Sequence, residues 1–281
     1  MPMNRPVQED IGRADTTLLW APPLGTVGIM GGLPFMSTQF ARSLVEMIDF
    51  NNRHVCRDGQ IMYEWAPMTW FPAARNWLAE RAVGDWLFFC DCDHIFEPDI
   101  LAQMLQVLYA GKIDGKPIDV VSCTYFQRHP PHRPLAYKWV EDAANGHGSF
   151  MICDTLDFDG KYDAVRVAAA GTGGMLIRTS VFDRIRDELH EAPFDIIPIA
   201  EDVEKQGEDY VIQHGPSLSE DLSFCMRLKR LDIPIVLLTK LYMGHLVTAV
   251  VDVKAHQNAI SHFPKAKEAT TAEGTQVTTA S

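Results

Sequence analysis

"DWLFFCDCDHIFEPDIL", Asp85 to Leu101, passes from an apolar run into two aspartates separated by one residue, then a histidine, a turn and a new apolar segment. The run WLFFC, bounded by charges, reads as a strand buried on both faces. A carboxylate at the end of such a strand is costly unless something pairs with it, and two so close disfavour each other's ionisation. The remedies are a cation, a basic side chain or full solvation. An Asp-x-Asp pair at a strand end suits a hard divalent cation such as Mg²⁺ or Mn²⁺, which prefers oxygen ligands and bridges to phosphates. The simpler reading is a solvated turn in which Asp93 caps the helix beyond HIFEP. Cys90 and Cys92 beside His94 offer a soft metal site instead, but no second cysteine pair at ligand spacing accompanies them.

Outward from this stretch, short apolar runs alternate with helical patterns. TVGIMGG reads as a strand, and FMSTQFARSLVEMIDF follows with Phe40, Leu44, Met47 and Ile48 at helical spacing. PMTWFPAARNWLAERAVG reads as a second helix, with Trp77, Leu78 and Ala82 on one side and Gly84 as its stop. After the DCD strand, EPDILAQMLQVLYAGK is a helix with Glu97 and Asp99 in its first turn and Gly111 at its end, and IDVVSCTYF is a further strand. The second half changes character. PLAYKWV, SFMICDTLD, VRVAAAGTG and GMLIRT are strand-like, followed by a helix VFDRIRDELH, a polar excursion from Ala192 to Ser217, a helix SEDLSFCMRLKRL and a strand IPIVLLT. The pattern predicts an α/β fold: a Rossmann-like, mostly parallel sheet with helices on both faces and a smaller mixed-sheet half. In such sheets ligands bind beyond the carboxyl ends of the strands, where Asp91 and Asp93 fall.

The chain has 281 residues, of which 47% are hydrophobic and 22% charged, which excludes general disorder. A formal net charge of −12 argues against broad nucleic-acid binding, which needs a basic surface. The six cysteines are scattered, mostly in apolar runs, and read as buried free thiols of a reducing compartment. The N-terminus lacks the apolar core of a signal peptide, and IPIVLLTKLYMGHLVTAVV is interrupted by Lys240 and His245, so no stable membrane insertion is expected and the location is read as cytoplasmic. The expected organisation is a flexible arm over residues 1–18, a single domain over 19–264 and a disordered tail over 265–281. Within the domain, a nucleotide-binding half spans about 26–128 and an acceptor half about 129–250.

Several residues besides the aspartates are candidates for chemistry. Arg75 and Asn76 sit on the helix before the DCD strand, where the planar fork of Arg75 suits a diphosphate or simply faces solvent. Gly171, Gly173 and Gly174 do not fit a dinucleotide fingerprint; they are either a structural turn or a loop that lets backbone approach a ligand. Glu220 and Asp221 open an amphipathic helix, either as first-turn acids behind a serine cap or as a general base aimed into a site. GEDYV, Gly207 to Val211, carries a similar acid pair but continues as a short strand. Arg128 lies in QRHPPHRP, a loop that prolines hold extended and that is a candidate substrate-facing segment. His245, after the last strand, is either structural or the imidazole that completes a two-aspartate cation site.

Taken in order, ARN, DCD, FQRHPPHRPLAY, GTGGMLIRTSVF, SEDLSFCMRLKRLDIPI and the trailing histidine resemble the GT-A glycosyltransferases, in particular family 2-like enzymes and their phage and bacterial relatives. The resemblance runs from about Gly28 to His245. It implies that Asp91 faces ribose or metal and that Asp93 coordinates the metal together with the donor diphosphate. It implies that His245 completes a metal set of Asp91, Asp93 and His245. Arg75, with Asn76 and Arg128, would hold the nucleotide, and Gly173 and Gly174 would line the donor sugar. Asp221, with Glu220 beside it, would be the proton acceptor of an inverting transfer. The implied cofactor is Mn²⁺ or Mg²⁺, and the implied donor is a nucleoside-diphosphate sugar, UDP by default. The acceptor is a glycan, a protein or a modified nucleobase, and the oligomeric state is left open. Where family 2 enzymes carry a PTYN-like segment after the first strand, this chain has GGLPFMST.

Two rivals differ in class. A sugar nucleotidyltransferase would carry a Gly-rich loop with Arg or Lys after strand one, whereas GIMGGLPFMSTQF has glycines and no basic residue. A non-catalytic nucleotide-sugar or glycan-binding protein would have a degenerate site, and the acids and His245 are intact.

Overall fold

The computed structural model describes residues 24–31, 36–55, 61–141, 148–153, 164–198, 201–206, 209–214 and 217–247. The arm over 1–18 and the tail over 265–281 lie outside them. In chain order the first half contains β1 (Gly25–Met30), α1 (Thr38–His54), β2 (Ile61–Trp65), α2 (Phe71–Arg81), β3 (Trp86–Asp91), β4 (His94–Phe96) and α3 (Ile100–Ala110). A short hairpin of β5 (Lys112–Ile113) and β6 (Lys116–Pro117) leads to β7 (Val120–Thr124). The second half contains β8 (Ala136–Glu141), β9 (Gly148–Ile152), β10 (Ala164–Val167), β11 (Ala169–Ala170) and β12 (Gly174–Arg178). Then come α4 (Thr179–Arg184), continued by a π-helical turn, β13 (Glu201–Gln206), β14 (Asp209–His214), α5 (Glu220–Arg230) and β15 (Ile235–His245).

The main sheet has the order β10-β15-β7-β12-β3-β1-β2, with β4 added beside β15. Strands β1, β2, β3, β7 and β15 run one way; β12, between β3 and β7, and β10, at the edge, run the other. A smaller sheet, β11-β8-β9, belongs to the second half. This is the mostly parallel α/β architecture with a smaller mixed sheet that the alternation of strand and helix patterns predicts. Among the described residues, no helix is long and apolar enough to cross a membrane.

The sheet is buried on both faces, and β3 shows why its sequence reads as unbroken apolar. With a side-chain period of two, Trp86, Phe88 and Cys90 enter the core that α1 and α3 cover, while Leu87 and Phe89 enter the core that α2, α4 and α5 cover. Each fully buried Phe side chain contributes roughly 1.5–3 kcal/mol through removal of apolar surface from water. Helix α1 starts where Ser37 accepts a hydrogen bond from the Phe40 N–H at 3.0 Å, and it buries Phe40, Leu44 and Met47. Helix α5 starts in the same way, with the Ser219 side chain accepting from the Leu222 N–H at 3.3 Å and Glu220 and Asp221 in its first turn.

The structure departs from the sequence reading in two places that matter for the site. Residues 94–96 are not a solvated turn before a helix: they form β4, antiparallel to the end of β15, with His94 opposite His245. Helix α3 begins only at Ile100, so Glu97 and Asp99 precede it. The Ala192–Ser217 excursion contains the β13–β14 hairpin, in which the strand read at GEDYV is part of β14.

Candidate active site

The row Leu87, Phe89, Asp91 continues one face of β3 past the core, so Asp91 emerges on the side covered by α2 and α5. There it meets Arg75. The α2 helical spacing that buries Ala74 and Leu78 also buries Arg75, which is only 2% exposed and lies 5.5 Å over the Phe89 ring. It is therefore not a solvent-facing helical arginine. Its two terminal nitrogens donate to both oxygens of Asp91 at 3.3 and 3.2 Å, and its Nε is 3.6 Å from Glu220 and 3.5 Å from Asp221. Burial works against the Arg75 charge, but Asp91, Asp221 and Glu220 together outweigh it and hold the guanidinium above its ordinary pKa. Burial likewise opposes the Asp91 charge, and Arg75 reverses this, keeping the carboxyl below the usual aspartate value.

Asp221 comes from the N-terminus of α5, and the Thr172 hydroxyl, fully buried, donates to its Oδ1. Burial raises the Asp221 pKa, only partly offset by Arg75 and Thr172, and burial followed by the neighbouring Asp221 raises that of Glu220. Thr172 and Gly173 occupy the turn between β11 and β12, and Gly174 opens β12. A Cβ on Gly173 would lie 2.6 Å from Asp91 Oδ2 and 2.7 Å from His94, and one on Gly174 would lie 2.4 Å from Cys123 Sγ. The Gly173 N–H also donates to the Tyr125 hydroxyl at 3.0 Å. These glycines thus let backbone approach the side chains of the site.

Asp93 turns into a second cluster. Its Oδ2 lies 3.4 Å from His245 Nε2, and its Oδ1 is 4.0 Å from His94 Nδ1. His245 donates from Nδ1 to the Phe126 carbonyl at 2.9 Å, which fixes the tautomer and leaves Nε2 as an acceptor. That nitrogen accepts from Arg128 Nε at 2.7 Å, while another Arg128 nitrogen donates to Asp93 Oδ2. Burial first, then Arg128, holds the His245 pKa below its ordinary value, and burial pushes His94 down to about 4, so both rings are neutral at pH 7. The ligand atoms of Asp93, His94 and His245 lie within 4.8 Å of one another, spacing compatible with a shared metal ion.

The sequence-derived candidates therefore form two neighbouring groups. Arg75, Asp91, Glu220 and Asp221 share one; Asp93, His245 and Arg128 share the other. Asp91 is paired with Arg75, and His94 stands beside Asp93 and His245. Asn76, expected at the nucleotide, uses its amide on the following loop: its nitrogen donates to Asp195 at 2.9 Å and its oxygen accepts from the Phe194 N–H at 2.9 Å. Tyr125 is a site residue that the motifs alone did not single out, and His94 was weighed only beside Cys90 and Cys92. The signal for His94 was its place directly after DCD; what concealed it was the reading of HIFEP as a turn into a helix.

With this fold, and with acids at the carboxyl ends of its strands, residues 57–170 match the family described as glycosyl transferase family 2. Over those residues the chain is similar to the family 2 glycosyltransferases. The matched segment includes Arg75, Asp91, Asp93, His94 and Arg128 and stops before Gly173, Asp221 and His245. Among solved structures, the chain is similar to GalNAc-T7 with UDP, GalNAc and Mn²⁺, at 10% identity and a TM-score of 0.48, over 81% of this chain and 44% of that one. It thus spans less than half the length of that protein. It is also similar to the inositol-1-phosphate CTP transferase from T. maritima, at 9% identity and a TM-score of 0.38, over 83% of this chain and 93% of that one. No curated protein matches the sequence.

Proposed function

We propose that the chain transfers a sugar from a nucleoside-diphosphate sugar, with UDP as the first base to test, to an acceptor hydroxyl with inversion at the anomeric carbon. The observation that carries this reading is the pairing of the two groups. Asp93 and His245 turn their lone pairs on one point at the strand ends, and Asp221 shares Arg75 with Asp91 alongside.

In this reading Asp91, held rigid by the two-pronged contact with Arg75, accepts hydrogen bonds from the donor's ribose. Asp93 and His245 fit a divalent cation, because their facing oxygen and bare nitrogen are already bridged by a cationic guanidinium, that of Arg128. When bound, such a cation supplies the positive charge on which a departing nucleoside diphosphate depends. Arg75 and Thr172 both address Oδ1 of Asp221, which leaves Oδ2 to accept the proton of the acceptor hydroxyl. A raised carboxyl pKa suits a proton acceptor working near neutral pH. The hydroxyl oxygen bonds to the anomeric carbon as the bond from that carbon to the diphosphate oxygen breaks on the opposite face.

The test uses the full chain in a panel of UDP, GDP, dTDP and CMP, each with and without Mn²⁺, followed by turnover of the matching donor sugar. Ligand that binds only the folded state raises its stability, so one nucleotide should raise the melting temperature in the presence of Mn²⁺. Asp93→Ala should abolish that metal-dependent shift. Asp221→Asn should keep it and lower turnover by about 10²-fold or more, the scale of general-base catalysis. Retained turnover in Asp221→Asn would remove Asp221 from the mechanism.

A further inference from the structure

We infer that Tyr125 is a positioning residue: its hydroxyl pins the turn between β11 and β12, and the pinned turn holds the Thr172 hydroxyl on Asp221 so that the other carboxylate oxygen is left for the acceptor. The part of this that concerns turnover rests on the transfer reading; the pin itself does not.

Tyr125 follows β7 directly and is 5% exposed, although it carries a hydroxyl. A buried phenol keeps a hydrogen-bond partner, because an unpaired polar group in such a place is costly. The partner here is backbone: the Gly173 N–H donates to Tyr125 Oη at 3.0 Å. The Gly173 carbonyl is taken as well, by the Asp91 N–H at 3.1 Å, and the same backbone engages His94. Gly173 is thus fastened to the end of β3 on one side and to the end of β7 on the other. Position 171 is shaped for the same contact. A Cβ there would run into the Tyr125 hydroxyl and Cζ, so glycine lets the phenol reach the turn. Two further backbone bonds keep the segments in register, the Leu135 N–H to the Tyr125 carbonyl at 2.9 Å and the Gly171 N–H to the Leu135 carbonyl at 3.1 Å.

Between Gly171 and Gly173 stands Thr172, fully buried, with its hydroxyl on Asp221 Oδ1. A residue flanked by two glycines has little local stiffness, since glycine is the most permissive backbone. The hydroxyl therefore keeps its aim only while the turn is fastened, and Tyr125 fastens it through the neighbouring residue. The phenol ring makes separate contacts, edge to face with His94 and His245 at centroid distances of 4.7 and 5.9 Å. Those belong to the ring and survive removal of the oxygen, so hydroxyl and ring can be tested apart.

The test compares Tyr125→Phe, which removes one oxygen and keeps the ring, with Thr172→Val and the double variant, all in the full chain. Amide hydrogen exchange comes first and needs no substrate. The Gly173 N–H should exchange about tenfold faster in Tyr125→Phe, on the scale of one lost hydrogen bond, while the amides of Leu176 and Ile177 in β12 keep their wild-type rates. Unchanged exchange at Gly173 overturns the inference. So does loss of protection throughout β12, which would make Tyr125 a general packing residue. Turnover of the donor found in the nucleotide panel comes second. In Tyr125→Phe, kcat should fall by roughly 10–100-fold, the scale on which a small misplacement of a reacting group acts, with the donor KM near its wild-type value. Thr172→Val should lose a similar factor. The double variant should lie within about threefold of Thr172→Val, because residues that act through one another are not additive. Losses that multiply, or a donor KM that rises while kcat holds, overturn the action through Thr172. If the wild type turns over no donor while Gly173 loses protection in Tyr125→Phe, the transfer reading falls and the pin stands.

Discussion

Replacing Arg75 with Met, which keeps most of the apolar stem and removes the charge, probes the centre of the site. Arg75 is 2% exposed, while the side chains of Asp91, Glu220 and Asp221 are 22%, 16% and 26% exposed. Removing one member of a buried ion pair costs roughly 3–5 kcal/mol, because the remaining charge is left without a partner. Here water reaches the acids, and the variant escapes the cost of burying a guanidinium, so the expected loss at pH 7.5 is nearer 2–3 kcal/mol by the same reasoning. At roughly 2–4 °C per kcal/mol for a chain of about this size, the melting temperature falls by about 5–10 °C.

The pH dependence of that loss is the sharper test. In the wild type, the folded pKa of Asp91 is depressed, so Asp91 contributes stability above its unfolded pKa and loses it as pH falls through the folded value. Without Arg75, burial is the dominant influence on Asp91, and its pKa rises alongside those of Glu220 and Asp221. Groups with raised folded pKa values favour the folded state at low pH and lose that contribution as pH rises. The gap between wild type and variant should therefore narrow on going from pH 7.5 to pH 5, by about 1 kcal/mol or more, since one pKa unit corresponds to about 1.4 kcal/mol. Urea unfolding at the two pH values measures it. A variant within about 0.5 kcal/mol of wild type at both, the range of ordinary surface substitutions, or a loss equal at both, would refute the argument.

Gly173→Ala places a methyl group against Asp91 and His94, so it should cost roughly 1–3 kcal/mol, as overpacking does, and weaken Mn²⁺ binding as well; unchanged Mn²⁺ affinity would show that the turn can yield. Glu191 pairs with buried Arg227 at 2.8 Å and with Arg230 at 2.5 Å. Burial opposes the Glu191 charge, but Arg230 and Arg227 prevail and hold its pKa below the ordinary glutamate value. Its stabilisation is thus present above the unfolded pKa and lost as pH falls through the folded one. Glu191→Gln should destabilise by about 1–3 kcal/mol at pH 7 and flatten the acid limb of a stability–pH curve; an acid limb as steep as that of the wild type would contradict this. Asn76→Ala leaves the Phe194 N–H and the Asp195 carboxylate without their partner. It should raise protease sensitivity near residues 194–195 more than it alters nucleotide affinity, and the reverse order would return Asn76 to the nucleotide.

Much of the fold was legible because burial on both faces makes strands such as WLFFC and IPIVLLT read as apolar blocks between helical patterns. Serine caps and first-turn acids marked the start of α5, and Asp91, Asp93, Asp221 and His245 stood out because each is a charged or ligating group at the end of an apolar element. What remained ambiguous was local in sequence but non-local in cause. HIFEP looks like a turn into a helix, and becomes β4 only because the end of β15, some 150 residues later, offers it a strand to pair with. Arg75 has the sequence environment of an exposed helical arginine, and is buried because Asp91, Glu220 and Asp221 converge on it from β3 and α5. Sequence alone determined which residues are able to bind a cation, accept a proton or end a strand, since those capacities belong to side chains and short-range periodicity. Only the tertiary structure decided who partners whom: Asp91 with Arg75, Asp93 with His94 and His245, Asn76 with the 194–195 loop. A carboxylate carries the same chemistry wherever it stands, and its role follows from the charge and lone pairs that the folded chain brings within a few ångströms of it.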